Sequence, residues 1–222
     1  MNVHKIVNTV AGENTYLLET DTGLLLIDPG SDWDKINKRL AELNKPVLAI
    51  LLTHTHYDHI LSVEKVRQHY HRPPLYVSEQ EASWLQSPVD NLSGLARHDD
   101  MEDVIVEPAE HTFDLRNTYS IGDFKFTVVP TPGHSFGSVS FIFDDQAMIF
   151  SGDALFKETI GRTDLPTGHF EDLIHSIKQE LLTQPNHFAV HPGHGQSTTI
   201  AHEKNFNPYL QWNDFKKFLS AL

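Results

Sequence analysis

The first quarter of the chain alternates short apolar runs with polar turns, a pattern that predicts strands and helices in turn. Thr15–Glu19 and Gly23–Asp28 read as strands that are joined by a Thr-Gly turn. Apolar residues then recur at helical spacing through the segment SDWDKINKRLAELN, where we predict a helix with Ser31 as its N-cap. Val47–Leu52 is a continuous apolar run, which is typical of a strand that is covered on both faces.

The rest of the chain continues this mixture of elements. We predict a helix up to about Tyr70, a strand at Leu75–Val77, a helix from about Glu79 and a loop over Gln86–Asp103. Further predicted strands are Phe124–Val129, Ser138–Phe143, Ala147–Phe150 and Phe188–Val190, and further predicted helices are Phe170–Leu182, Thr199–Asn205 and Pro208–Leu219. Because no linker or low-complexity segment interrupts them, we expect residues 1–222 to form a single domain, with packed sheets inside and helices outside.

Composition and charge narrow the class of protein. No N-terminal signal is recognisable and no apolar run approaches the roughly 18–20 residues of a membrane span, so we expect a soluble, cytoplasmic protein without a membrane partner. The formal net charge of −13 repels phosphate backbones, and we therefore expect no nucleic-acid partner. The chain has no cysteine, which excludes disulfides, thiolate catalysis and cysteine-ligated zinc. Any metal must be held by histidine and carboxylate side chains.

Metal-binding residue types follow predicted strands at four places along the chain. Strand ends are rigid, and the loops beyond them can present side chains to one shared cleft. The first place is THTHYDHI, directly after Val47–Leu52, and the other three are PTPGHS, SGDALF and HPGHG. The candidate metal ligands in these segments are His54, His56, Asp58, His59, His134, Asp153 and His194.

The spacing of these residues suggests two neighbouring metal sites. His54 and His56 are two residues apart in an extended chain, so their side chains point the same way and can bind one metal. Asp58 and His59 come after the chain has turned and can face a second point. His134 would complete the first site and His194 the second, and the two carboxylate oxygens of Asp153 suit it to bridge both ions.

These motifs resemble those of the metallo-β-lactamase superfamily, and in particular its short hydroxyacylglutathione hydrolase (glyoxalase II) branch. The resemblance extends from LLIDPG to HEKNFNPYL. It implies an α/β fold, a four-layer αββα sandwich with the metal site at one edge of the two sheets. It also implies the division of the ligands into two metal sites bridged by Asp153, as described above. It places Asp28 in a motif whose aspartate supports the metal ligands without binding the metal. An ordinary turn at the strand end is the other interpretation of Asp28.

The sequence departs from the family pattern at a few positions. Leu61 and Ser62 stand where the family usually has two glycines, which changes the packing behind the metals but removes no ligand. His191 precedes the ligand-bearing PGHG and is interpreted as structural or supporting, and His169 as a capping or surface residue. Arg162 could pair with Asp164 to fix its loop, or could meet an anionic substrate.

Histidine and carboxylate ligands favour zinc, although iron and manganese accept the same donors. Two divalent ions about 3.5–4 Å apart can share one water and lower its pKa from about 15.7 toward 7. The bridging hydroxide would attack a carbonyl, while a metal stabilises the developing oxyanion. Asp58 is the candidate catalytic residue, because it could orient this hydroxide or relay its proton.

Several functions share this set of motifs. The leading hypothesis is a thioester hydrolase that acts on S-lactoylglutathione or on a smaller acyl thioester. The 28 residues after His194 are too few for the helical domain that binds glutathione in long glyoxalase II, which argues against glutathione specificity. Alternatives are a mono-iron persulfide dioxygenase and a hydrolase of another ester, a lactone or a phosphodiester. The charge argues against a tRNA-processing nuclease, and the complete set of seven ligands argues against a non-catalytic protein.

Overall fold

Two six-stranded sheets form the centre of the structure, a computed structural model that describes residues 1–95 and 102–211. In the first sheet, the strands lie side by side in chain order. The pairs among its first three strands are antiparallel, and the remaining pairs are parallel. The strands of this sheet are β1 (Asn2–Val7), β2 (Asn14–Glu19), β3 (Leu24–Ile27), β4 (Val47–Leu51), β5 (Leu75–Val77) and β6 (His111–Thr112).

The second half of the chain supplies the other strands. These are β7 (Thr118–Ile121), β8 (Phe124–Pro130), β9 (Val139–Phe143), β10 (Met148–Gly152), β11 (Leu155–Phe156), β12 (Thr159–Ile160), β13 (Ala189–Pro192) and β14 (Thr198–Thr199). The second sheet has the order β14-β13-β10-β9-β8-β7, in which β10 and β13 are parallel and the other pairs are antiparallel. Strands β11 and β12 form a separate small hairpin.

Helices cover the outer faces of the sheets. The α-helices are α1 (Trp33–Leu43), α2 (Tyr57–Ile60), α3 (Val63–His69), α4 (Phe170–Ser176) and α5 (Ile200–Phe206). Glu79–Gln86 and Asp144–Gln146 are 3₁₀ helices, and Ile177–Leu181 continues α4 as a π-helical turn. Within residues 1–95 and 102–211, no helix has the length and apolar content needed to cross a membrane.

Three apolar clusters hold the layers together and define a four-layer αββα sandwich. Because side chains alternate along a strand, Leu25 and Ile27 of β3 face the other sheet, while Leu24 and Leu26 face the helices. The cluster between the sheets contains aromatic residues of β8, β9 and β10. The third cluster joins the outer face of the second sheet to α4 and α5. The predicted fold class is therefore confirmed.

The local structure corrects several predictions from the sequence. Helix α1 is preceded by Asp32 rather than Ser31 at the N-cap, and no side chain caps it. The Ser31 hydroxyl instead accepts the backbone N–H of Val10 and donates to Asp32. The helix that was predicted to run up to Tyr70 is two short helices, α2 and α3, and the element that starts at Glu79 is a 3₁₀ helix. Strands β1, β6, β7, β11, β12 and β14 were not predicted.

Other predictions extend into regions beyond the described part of the chain. The predicted helix Pro208–Leu219 is described as far as residue 211, and residues 208–211 form a turn. The rest of that helix, and residues 96–101 of the predicted loop, lie outside the described residues. The predicted helix Thr199–Asn205 is confirmed as α5, with Thr199 as its N-cap.

Candidate metal centre

The seven predicted ligands lie together at one edge of the two sheets. Four of them follow β4, directly in the loop or in the short helix α2. The others follow β8, β10 and β13 of the second sheet, so both sheets contribute. Six of the seven are buried, and the seventh, the one after β13, is partly exposed. In chain order these residues are His54, His56, Asp58, His59, His134, Asp153 and His194.

Two groups of three side chains have ligand atoms close enough to bind one ion each. In each group all the ligand atoms lie within 4.8 Å of one another. We call the group of His54, His56 and His134 the first set, and the group of Asp58, His59 and His194 the second set. These are the groups that the sequence spacing predicted.

Asp153 lies between the two sets. Its Oδ1 is 3.5 Å from His59 Nε2, and its Oδ2 is 3.3 Å from His194 Nε2. The same Oδ2 is 3.4 Å from His134 Nε2, which belongs to the first set. One carboxylate therefore reaches both groups, as a bridging ligand must.

Asp28 forms hydrogen bonds to Thr53 and to His59 of the cluster. It is therefore a supporting residue of the site and not only part of a turn at the strand end. Its Oδ1 accepts the backbone N–H of Thr53 at 2.8 Å, and its Oδ2 accepts the Thr53 hydroxyl at 2.6 Å. Oδ2 also lies 3.0 Å from His59 Nδ1. The Asp28 carboxylate is close enough to His54 and His59 to form a third possible metal group. Its three hydrogen bonds, however, make it a support for the histidines rather than a free ligand.

Hydrogen bonds fix which ring nitrogen of several histidines is free. The Nδ1–H of His134 donates to the carbonyl of Arg162 at 2.9 Å, and that of His194 donates to the carbonyl of Ala11 at 3.2 Å. Because the Thr53 hydroxyl donates to Asp28, it accepts from His54 Nδ1 at 3.1 Å. These bonds occupy Nδ1 and leave Nε2 as the nitrogen that faces the metal site, either with its lone pair or, in His194, with a proton that a metal would displace. The Nδ1 atom of His56 has no such oxygen partner; it lies 2.9 Å from Nε2 of His134, another histidine of the cluster.

Atoms without a hydrogen-bond partner test whether these residues fit a cation. Four buried atoms of the cluster lack one among the described residues: the Nε2 atoms of His54, His56 and His59, and Oδ1 of Asp153. A buried polar atom without a partner costs about 1–3 kcal/mol. Imidazole nitrogens and carboxylate oxygens that converge in this way are the ligands a divalent ion requires, so the cluster fits a metal site.

The charges of the two sets differ in the metal-free chain. Burial holds the pKa of His54 well below the usual histidine value and lowers the pKa of His56 to about 3. Burial acts in the same direction on the pKa values of His59 and His194, but the Asp153 and Asp58 carboxylates outweigh it. They raise the pKa of His194 to about 10 and that of His59 well above its usual range. The second set thus holds protons that a cation would displace.

Asn14, the first residue of β2, fixes the loop that carries His194, a role that the sequence analysis missed. The Asn14 backbone N–H donates to the carbonyl of Gly193 at 2.7 Å, and its side-chain amide donates to the carbonyls of Pro192 and Gly195. A side chain at position 193 would overlap Asp153 Oδ1 and would lie 2.8 Å from His59 Cε1. Glycine therefore allows this loop to approach the cluster closely.

A cavity of about 400 Å³ opens onto the cluster. His56, Asp58, His134, Asp153 and His194 all lie in its wall. The rest of the lining is largely apolar and includes Ala11, Leu92, Phe156, Ile160 and Leu165. A cavity of this size and composition suits a small molecule with an apolar part.

The remaining residues that the sequence analysis singled out have structural contacts. Arg162 lies in the cavity wall and forms a bidentate ion pair with Asp164, with both N–O distances 2.7 Å. His169 caps α4 by accepting the backbone N–H of Asp172. The His191 ring stacks on Phe150, and His191 belongs to none of the possible metal groups in the described ranges.

Ser62 replaces the second glycine of the family pattern and ties α3 to the turn after Asp28. Its hydroxyl donates to the carbonyl of Gly30 at 2.5 Å, and its backbone N–H donates to that of Pro29 at 2.9 Å. The departure from Gly-Gly therefore adds a contact behind the site and leaves the ligands in place.

Comparison with known proteins identifies the family. Residues 8–194 match the metallo-beta-lactamase superfamily, and this range includes all seven candidate ligands. The chain belongs to the metallo-beta-lactamase superfamily. A Streptococcus pyogenes protein with the name "probable metallo-hydrolase" is 59% identical over 210 residues, 95% of this chain and 90% of that protein. The hydroxyacylglutathione hydrolase GloC of Haemophilus influenzae is 31% identical over 212 residues, 95% of this chain and 98% of GloC.

Solved structures share the metallo-beta-lactamase fold. The B3 metallo-beta-lactamase BLEG-1 has a TM-score of 0.89 and 38% identity, and the match covers 94% of this chain and 99% of that one. A protein crystallised in a di-iron-bound form has a TM-score of 0.81 and 34% identity, and the match covers 94% of this chain and 100% of that one. ETHE1 from Myxococcus xanthus has a TM-score of 0.74 and 28% identity, and the match covers 94% of this chain and 84% of that one.

Proposed function

We propose that the protein is a metal-dependent hydrolase that cleaves small acyl thioesters. The observation that carries this proposal is the cluster of histidines and aspartates whose buried, unpartnered donor atoms converge beside an apolar cavity. Zinc is the first expectation, and the similarity to a di-iron protein keeps iron as an alternative. We assign one divalent ion to the first set and a second ion to the second set, with Asp153 shared between them.

The proposed reaction adds water across the thioester bond. When bound, two divalent ions supply Lewis-acid chemistry, which acidifies water and polarises a carbonyl. The oxygen of water joins the carbonyl carbon, the carbon–sulfur bond breaks, and the products are a carboxylic acid and a thiol. Asp58 lies in the cavity wall, and we propose that its carboxylate takes the proton of the attacking water. A thiolate leaves readily, so the reaction requires no separate acid for the leaving group.

The cavity wall favours a small and mainly uncharged substrate. Among the described residues that line it, Arg162 is the one lysine or arginine, and it already pairs with Asp164. The glutathione part of S-lactoylglutathione carries two carboxylates, which this wall leaves largely unneutralised. The similarity to hydroxyacylglutathione hydrolase GloC supports thioester chemistry, but we expect the thiol portion to be weakly recognised.

A persulfide dioxygenase is the second candidate function. The similarity to ETHE1 from Myxococcus xanthus favours it, and the same cluster of ligands would serve a single iron. Metal content separates the two candidates. About two zinc-like ions per chain would support the hydrolase, whereas one iron that does not increase on titration would support the dioxygenase.

Activity assays on fully metallated protein test the proposal. S-lactoylglutathione should be compared with the same acyl group on a short uncharged thiol, with a β-lactam, with a phosphodiester and with a persulfide under oxygen. We expect both thioesters to be hydrolysed at similar kcat/KM, and far faster than the β-lactam or the phosphodiester. Negligible thioester turnover, together with oxygen uptake on the persulfide or rapid cleavage of the β-lactam or phosphodiester, would overturn it.

A further inference from the structure

Glu81 is a buried carboxylate that contacts two of the loops that carry proposed ligands. It lies in the 3₁₀ helix Glu79–Gln86, and its fractional exposure is 0%. Its side chain accepts four hydrogen bonds, and all four come from residues far away in the sequence. Such a carboxylate is expensive to bury unless each oxygen has partners. No step of the proposed reaction uses it.

Each carboxylate oxygen of Glu81 serves one loop. Oε2 accepts the backbone N–H of Thr55 at 2.7 Å and the Thr55 hydroxyl at 3.0 Å. Oε1 accepts the hydroxyl of Ser135 at 2.5 Å and the backbone N–H of Gly137 at 2.8 Å. Thr55 is the residue between His54 and His56, and Ser135 directly follows His134. One carboxylate therefore links the segments that bear all three histidines of the first set.

Close packing holds the second of these loops on the 3₁₀ helix. A side chain at position 137 would overlap the Ser78 hydroxyl and would lie 2.8 Å from Glu81 Cγ. Glycine at this position lets the backbone N–H reach the carboxylate. The hydrogen bond from Gly137 to Glu81 therefore depends on this conformation of the loop that follows His134.

We propose that Glu81 is a positioning residue for the first set, because its carboxylate fixes the loop of His54 and His56 relative to the loop of His134. The inference rests on the proposed function, since it assigns these three histidines to a metal. The second set has no hydrogen bond to Glu81, and Asn14 and Asp28 support it instead. Loss of the Glu81 carboxylate should therefore weaken one metal site and spare the other.

A glutamine at position 81 is the sharpest perturbation, because it has nearly the same shape as glutamate. A backbone N–H points at each oxygen of Glu81, from Thr55 on one side and from Gly137 on the other. Whichever way the amide of Glu81→Gln is turned, its NH₂ group faces one of these donors. The hydroxyls of Thr55 and Ser135 can rotate, but a backbone N–H cannot become an acceptor. One loop must then move away.

Metal titration of two paired backgrounds measures the two sites separately. His194→Ala removes a ligand of the second set and leaves the first set complete, and His134→Ala does the reverse. Cobalt(II) titration of metal-free protein should show that Glu81→Gln weakens binding about 10- to 100-fold in the His194→Ala background. In the His134→Ala background its dissociation constant should stay within about twofold.

Glu203→Gln is the matched control. Glu203 is equally buried, and its carboxylate accepts hydrogen bonds from the Thr198 hydroxyl at 2.6 Å and the Glu158 backbone at 2.9 Å. Within the described part of the chain, its carboxylate has no hydrogen bond to a loop that carries a proposed ligand. Both glutamine variants should lower thermal stability, but Glu203→Gln should leave cobalt affinity in the His194→Ala background unchanged.

The outcomes separate the inference from the function on which it rests. If neither background binds cobalt, the metal assignment itself is wrong. If both bind but Glu81→Gln weakens both equally, or has no more effect than Glu203→Gln, Glu81 has a structural role alone. Should Glu81→Gln fail to fold, Ser135→Ala removes one donor to Oε1 and should weaken the first set a few-fold. An unchanged affinity in that variant would also overturn the inference.

Discussion

Asp28→Asn tests how the protein keeps His59 ready to bind a metal. Asp28 Oδ1 accepts the backbone N–H of Thr53, which is a fixed donor, so the oxygen of the new amide must stay on that side. The amide NH₂ then replaces Oδ2 and faces His59 Nδ1, which is 3.0 Å away. The amide NH₂ and the Nδ1–H of His59 are both hydrogen-bond donors, so they would repel each other. The neutral form of His59, which is the form that ligates, can relieve this by carrying its proton on Nε2, and that tautomer cannot ligate a metal through Nε2.

The size of the effect follows from the role of such supporting partners. Removal of a carboxylate that orients a ligating histidine typically weakens metal binding 10- to 100-fold, or about 1.4 to 2.8 kcal/mol. We expect this loss at the second set. The first set should weaken less, because the Thr53 hydroxyl can still accept from His54 while it also accepts from the new amide.

The substitution is chosen so that the backbone is preserved. Asp28 has a φ of +49°, a left-handed conformation that asparagine tolerates better than alanine does. Cobalt titration in the His134→Ala background gives the affinity of the second set. Asp32→Asn is the control, since Asp32 also accepts hydrogen bonds from a backbone N–H and a hydroxyl, both of Thr9, away from the cluster. Equal affinities in Asp28→Asn and its parent would refute the reasoning.

Two further predictions concern the bridge and the protons. Asp153→Ala should lose metal from both sets, because Asp153 lies within 3.5 Å of His59 and 3.4 Å of His134; elemental analysis that still finds two ions would contradict this. The pKa of His194 is about 10 in the metal-free fold against about 6.5 when unfolded, so its contribution to stability is complete below about pH 6.5 and is lost as the pH rises through 10. Over the same range metal must displace its proton, so affinity for the second set should rise up to about pH 10; a flat titration series would refute this.

The elements with a long periodic signal could be predicted from the sequence. The run Val47–Leu52 was recognised because β4 is central and covered on both faces, and α1 because its apolar face faces the sheet. β1 lies at a sheet edge with mostly exposed or half-buried side chains, so it has no apolar run to detect. The two-residue strands β6, β11, β12 and β14 are too short for any periodicity.

The candidate ligands were visible because their chemistry is unusual for a strand end, but their supports were not. Glu81 contacts residues 26 and 54 positions away, and its own segment reads as an ordinary helix start. The groups that fix His134 and His194 are the backbone carbonyls of Arg162 and Ala11, and a carbonyl is common to all residue types. Long-range contacts and backbone acceptors leave no pattern in a single sequence.

The division of ligands between the sheets links metal binding to the fold. Each set takes two residues from the segment that follows β4 and one from a loop of the second sheet, so an ion in either set would join the two sheets. Without a cation, the unpartnered Nε2 atoms of His54 and His56 stay buried and oppose folding of this edge. A metal that binds the folded chain alone adds about 2.7 kcal/mol of stability at a hundred times its dissociation constant. The ligands that would perform the proposed chemistry therefore also connect the two sheets. We expect added metal to stabilise this edge of the sandwich.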